Sequence, residues 1–411
     1  MLKKIPVTEV KLGMYLQELC GSWMDHPFWK SSFLLKDPAD LKALQTSSIR
    51  EVWIDASKGL DISGGAAKGE AEAAVDAVLH QADARSAPAD LKIDPVSLEQ
   101  EAVRAARLCA KAKDAVEAMF QEARMGRAVE TEQMRPLVEQ IADSVMRNPS
   151  ALISLARLKV RDEYTYMHSV AVCALMIALA RQLGIKDEAL VQDVGLAGLL
   201  HDIGKATVPL EILNKPGRLS EDEFERIKDH PVAGHRILVE SECRSKVALD
   251  VCLHHHEKVD GTGYPDKLGG EGISVFARMG AVCDVYDAIT SNRPYKNGWD
   301  PAEAIRKMTE WSAGHFDPAI FQAFVKTIGI YPTGSLVLLQ SGRLAVVLEQ
   351  SRKSLLQPVV KAFYSTRSRV HIPPEILDLS KASVADKIVS RESAEKWGLS
   401  RLEELWCSVA V

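Results

Sequence analysis

The sequence predicts a mainly α protein: an all-helical bundle flanked by a small β-containing N-terminal domain and a small β-rich C-terminal extension. Three observations predict it. Through residues 154–330 apolar side chains recur at three-and-four spacing, as in Val170, Cys173, Ile177 and Ala180, the period of a helix with a buried face. Residues 1–60 instead carry short β-prone stretches, Val7–Val10 and Glu51–Ile54, punctuated by Pro6, Gly13 and Gly21. After Tyr331-Pro332, two apolar runs enclose Ser341-Gly342 in LVLLQSGRLAVVLEQ, a hairpin signal.

In chain order, residues 1–60 form the N-terminal unit, and an alanine-rich linker, partly helical, follows over 61–93 from Ile62-Ser63-Gly64-Gly65. A helical connector occupies 94–153, where Asp94 offers an N-cap, Pro95 suits N1 and helical periodicity runs to about Arg147. Within 154–330, Ser220 and Glu223 make a capping box for a helix ending near His230. The extension, 331–411, adds a β-prone run from Pro358 to Val370 and a helical tail.

At 411 residues the chain is long enough for two or three domains. Hydrophobic residues are 46% and charged ones 26%, enough for an ordinary core. The net charge of −5 excludes a general surface for nucleic-acid polymers, although a few local cations suffice to hold a small anion. Seven scattered cysteines without a C-x-x-C pair fit free thiols in a reducing cytosol better than a disulfide framework. The N-terminus, MLKKIPVTEVKLGMYL, lacks the apolar core of a signal peptide. The longest apolar run, Val170–Ala180, falls short of the ~20 residues that cross a bilayer. The expectation is a cytoplasmic protein with no membrane span.

Chemistry concentrates in the helical part. Seven of the 11 histidines lie between positions 168 and 256. Neutral imidazole together with carboxylate is the usual ligand set for iron, manganese, zinc or nickel. His201-Asp202 closes an apolar helix, GLAGLLHD. Neighbouring side chains on a helix point ~100° apart, so both serve one site only if it spans two ions bridged by the aspartate. His230 opens the next helix, His254, His255 and His256 end another, and Asp284 and Asp287 share one helix face. Singly, each has an ordinary alternative: a surface pair for His201-Asp202, a satisfied core histidine for His168, packing for His230. His235 keeps that packing role. Jointly, with every candidate on a helix, they point to a metal site.

Two further segments suit phosphate. Lys205 follows Gly204, where the chain can turn and bring the ammonium back toward the metals. Asp260-Gly-Thr-Gly-Tyr-Pro265 is a tight glycine-rich loop that leaves Tyr264 to contact substrate. The aspartate helix then closes on Arg293 and Lys296, suited to bidentate and point-charge phosphate binding respectively.

These motifs resemble the HD-GYP family of cyclic-di-GMP phosphodiesterases, a branch of the HD phosphohydrolases. The resemblance covers about residues 155–330 and rests on DEYTYMHS (162–169), HDIGK (201–205), LNKPGRLSEDEFERIKDHP (213–231), HHEKVDGTGYP (255–265) and DVYDAITSNRPYK (284–296). The front segment resembles a small domain of unknown role that precedes this module in some bacterial members. The resemblance implies metal ligands at His168, His201, Asp202, His230, His255, His256 and Asp284, with Asp202 bridging alongside a water or hydroxide. His254 lies one position outside the motif. Lys205 would stabilise charge at the reacting phosphate, and Arg293 with Lys296 would grip its oxygens. Some members hold a third metal through a glutamate four residues before the first histidine; Tyr164 stands there, which argues for two metals, and Glu163 would point away.

The implied reaction is hydrolysis of a 3′–5′ phosphodiester in cyclic-di-GMP to linear pGpG and/or GMP by a bridging hydroxide. Ligation by nitrogen and oxygen at more than four positions suits iron or manganese better than tetrahedral zinc, with nickel and magnesium as further candidates. Two alternatives stand beside it: a hydrolase of another cyclic dinucleotide, and a non-catalytic cyclic-di-GMP sensor, which loss of ligands or of the GYP loop would favour. None is lost. The N-terminal unit suggests a signalling protein partner, and the amphipathic stretch 95–147 could pack on a second copy, as a homodimer, or on its own domain.

Overall fold

A computed structural model describes residues 2–21, 28, 32–47, 49–84, 96–158, 164–215, 219–292, 298–351 and 353–407. It divides into two units, Met1–Gln81 with Arg306–His315, and Ala82–Ile305 with Phe316–Val411. The chain is mainly α, with sheet-containing N- and C-terminal regions.

The first unit is a five-stranded antiparallel sheet of β1 (Leu2–Pro6), β2 (Tyr15–Cys20), β3 (Phe33–Leu34), β4 (Glu51–Asp55) and β5 (Ala66–Ala67), in the order β3-β2-β4-β1-β5. Ile5, Leu16, Leu35, Leu44, Val52 and Ile54 are its fully buried core. Helix α1 (Pro38–Thr46) starts at Asp37, whose carboxylate accepts from the Ala39 amide, with Pro38 at N1. Val7–Val10 is not the expected strand. The strand stops at Pro6, which has no N–H to extend the ladder, and the chain makes a 3-10 turn over Val7–Glu9. After β5, α2 (Lys68–Ala84) occupies the alanine-rich stretch.

In the second unit, α3 (Leu98–Arg124) begins with a capping box between Ser97 and Gln100; the anticipated cap at Asp94-Pro95 lies outside the described residues. The periodicity to Arg147 is two helices, because the chain leaves α3 at Gly126 (φ +69°) before α4 (Arg135–Arg147). Buried Glu101 of α3 accepts from both Arg147 Nε and Nη2 at 2.8 Å and from Ser144 Oγ at 2.9 Å, tying the pair by a charge-assisted fork. The connector packs on its own unit, α3 against α5 (Pro149–Arg157) and α6 (Tyr164–Gln182).

Helix α6 is buried along most of its length, as expected of a helix apolar on all sides. It lies against α7 (Glu188–Leu200), where Gly198 lets the backbones meet: a Cβ there would fall 2.8 Å from Cys173 Cα. A 3-10 turn (Ile203–Thr207) leads to α8 (Leu210–Leu213), then α9 (Glu221–Lys228), α10 (His230–Glu240), α11 (Lys246–His254), α12 (Val275–Thr290), α13 (Pro301–His315) and α14 (Pro318–Ile328). The Ser220–Glu223 capping box forms as the sequence indicates.

The C-terminal region is an antiparallel sheet of β6 (Leu336–Leu339), β7 (Arg343–Glu349), β8 (Val359–Ser365), β9 (Val370–Asp378) and β10 (Ile388–Arg391), in the order β10-β6-β7-β8-β9. The β6–β7 hairpin turns at Gly342 (φ +80°), and the tail carries α15 (Ala394–Trp397) and α16 (Glu403–Trp406). No described helix is long and apolar enough to cross a membrane.

Candidate metal centre

The candidate ligands sit on or at the ends of helices of the second unit. His168 is one turn into α6, His201 caps α7 with Asp202 next in the chain, and His230 opens α10. His255 and His256 follow α11, and Asp284 lies within α12. They form two groups: His168, His201 and Asp202 offer ligand atoms within 4.8 Å of one another, as do His230, His255 and His256. Asp202 stands between them. Its Oδ2 is 3.5 Å from His168 Nε2 and 3.4 Å from His201 Nε2, while its Oδ1 is 3.2 Å from His230 Nε2 and 3.8 Å from His255 Nε2. Asp284 also spans the centre, with Oδ1 2.9 Å from His168 Nε2 and Oδ2 4.0 Å from His256 Nδ1.

Ring orientation follows from the other nitrogen. Nδ1 of His201 donates to Gly198 O at 2.8 Å, that of His230 to Ile227 O at 2.6 Å and that of His255 to Val251 O at 2.9 Å. A carbonyl can only accept, so these Nδ1 atoms carry a proton and each ring turns its Nε2 inward. His168 Nδ1 donates instead to Asp287 Oδ2 at 2.6 Å, the carboxylate–histidine arrangement that raises ligand basicity.

The donor set fits a divalent metal. His201 Nε2 and Asp202 Oδ1 are buried with no hydrogen-bond partner. His230 Nε2 and His255 Nε2 lie 3.2 Å apart, two ring nitrogens turned toward one place, an arrangement that a shared cation satisfies. Burial, reinforced by His201 and His230, pushes the His255 imidazole down to about 3, which favours the neutral ring. Burial opposes ionisation of Asp202, yet Lys205 and His201 hold its carboxyl well below the usual carboxylate range. Burial likewise opposes ionisation of Asp284, and His168 overcomes it.

Of the anticipated phosphate-facing residues, Lys205 bonds Asp202 Oδ2 from the 3-10 turn, and Tyr264 stacks on His256 with ring centroids 4.8 Å apart. Arg293 and Lys296 lie outside the described residues, as do Glu163 and the side chain of Tyr164. His254 has both ring nitrogens engaged, by Asp250 at 2.8 Å and Asp266 at 3.1 Å, and His235 is half-buried on α10. The sequence left Asp287 without a role, although its three-residue spacing from Asp284 placed it on the same face. Asp287→Ala frees the His168 ring, and metal affinity is expected to fall about 10–100-fold, read as metal retained per chain during titration with a chelator.

A helical bundle burying two histidine groups about a shared aspartate defines the HD class of metal-dependent hydrolases. The family description "HD domain" matches residues 136–320, and "Domain of unknown function (DUF3391)" matches 2–134. A Pseudomonas aeruginosa protein named cyclic di-GMP phosphodiesterase is 57% identical over 411 residues, covering 100% of this chain and 97% of that one. The Xanthomonas campestris cyclic di-GMP phosphodiesterase response regulator is 38% identical over 182 residues, 44% of this chain and 48% of its own. A Vibrio cholerae protein named 3′3′-cGAMP-specific phosphodiesterase 1 is 34% identical over 177 residues, 43% of this chain and 41% of its own. The chain belongs to the HD-GYP family.

Proposed function

We propose that this protein hydrolyses cyclic di-GMP to linear pGpG and/or GMP at a dinuclear centre held by His168, His201, Asp202, His230, His255, His256 and Asp284. The observation that carries it is Asp202, whose two oxygens face two separate histidine groups. Two divalent ions held by these residues would supply an activated water and would neutralise charge on the phosphoryl oxygens. A nitrogen-and-oxygen donor set of this size suits iron or manganese over tetrahedral zinc. Lys205, bonded to Asp202, stands where it can meet charge developing on the phosphate. Tyr264 borders the substrate, while Arg293 and Lys296 grip phosphate oxygens.

Support for the substrate comes from the 57% identical relative and its name. Cytoplasmic location belongs to the same proposal, supported by seven scattered cysteines without a C-x-x-C pair. The test is metal analysis of anaerobically purified protein, paired with product identification on cyclic di-GMP and 3′3′-cGAMP side by side. Two ions per chain and faster turnover of cyclic di-GMP are expected. Tight nucleotide binding by metal-loaded protein without turnover would instead make it a sensor.

A further inference from the structure

We infer that Tyr264 is a positioning residue for His256, a role that rests on His256 being a metal ligand. His168, His201, His230 and His255 each have Nδ1 fixed by a carboxylate or a backbone carbonyl. The His256 ring has no such anchor; its Nδ1 is 4.0 Å from Asp284 Oδ2, beyond hydrogen-bond range. His255 and His230 meet the ring tilted and edge-on, at 4.2 and 5.0 Å between centroids, and Tyr264 stacks on it, with centroids 4.8 Å apart and planes 24° from parallel. An aromatic face restricts ring tilt without supplying a hydrogen bond.

Tyr264 is itself held in place. Its backbone amide donates to His256 O at 3.3 Å. Gly263 presses on the chain leaving the histidines, since a Cβ there would fall 2.5 Å from Glu257 Cα and from Lys258 N. Buried Glu257 accepts the Asp266 amide at 2.7 Å, closing the loop from its far side. Lys228 Nζ lies 5.4 Å from the Tyr264 ring centroid and 5.8 Å from that of Phe224, within cation–π range of both. The glycine-rich loop and its tyrosine therefore form a stack, Lys228–Tyr264–His256, that orients a ligand as well as bordering the substrate.

The test compares Mn²⁺ affinity, by competition with a chromogenic chelator, with kcat and KM in the full chain and in Tyr264→Phe and Tyr264→Leu. The phenyl face preserves the stack, so Tyr264→Phe should bind metal within about twofold of wild type, while Tyr264→Leu weakens one ion about tenfold or more. Tyr264→Leu that loads metal normally and raises KM alone would overturn the inference, as would equal losses in both variants. Should Tyr264→Leu not fold, Lys228→Met, which removes the cation from the Tyr264 ring, is expected to weaken metal binding by a smaller factor; unchanged affinity there would overturn it too. Wild-type protein that takes up no divalent metal would overturn the proposed function itself, a result distinct from these.

Discussion

Asp202→Ala should lower kcat on cyclic di-GMP by more than about 10³-fold, because metal polarisation is worth several kcal/mol and each ~1.4 kcal/mol is a factor of ten. Among the described residues no other side chain places one oxygen against His168 and His201 and the other against His230 and His255, so one substitution empties both groups of their common carboxylate. Lys205 also loses its partner, leaving an unneutralised ammonium beside the imidazoles. The measurement is single-turnover hydrolysis with metal stoichiometry and far-UV circular dichroism on the same preparation. Helical content should survive, since the packed faces of α6 and α7 are untouched. Retained turnover, particularly in the double variant His201→Ala with Asp202→Ala, would refute the site.

Gly204→Ala is expected to destabilise the protein by about 3 kcal/mol or more, the upper end of overpacking costs, and to deplete metal. A Cβ at Gly204 would fall 1.9 Å from His230 O and 2.5 Å from Gly234 N. The α10 backbone would have to retreat, carrying His230 away from Asp202. Urea unfolding followed by circular dichroism checks the first effect and metal analysis the second. Wild-type stability in Gly204→Ala would show that the 3-10 turn and α10 do not pack as described.

Gly204 also shows where sequence stops being informative. From sequence it reads as a place for the chain to turn; in the structure its φ is not positive and what it provides is space for a helix whose first residue lies 26 positions later. The candidate ligands could be picked out because imidazole and carboxylate stand out on or beside helices whatever the packing. Asp287 was not, because its role depends on His168, brought to it from 119 residues away. Local signals had mixed success: the Ser220–Glu223 box and the Ser341-Gly342 hairpin needed only neighbouring residues, whereas Val7–Val10 had strand composition but followed a proline that ended the ladder. The gap between α3 and α4 was hidden because apolar periodicity continues across it.

The anchoring of the histidine rings bears on how such a centre can be tuned. Three of the rings are oriented by main-chain oxygens, which no side chain supplies. His168 and His256 are oriented by side chains, Asp287 and Tyr264. Changes in affinity or ion preference that leave the ligands intact are thus open chiefly at these two corners, while the other three are secured by the course of the backbone itself.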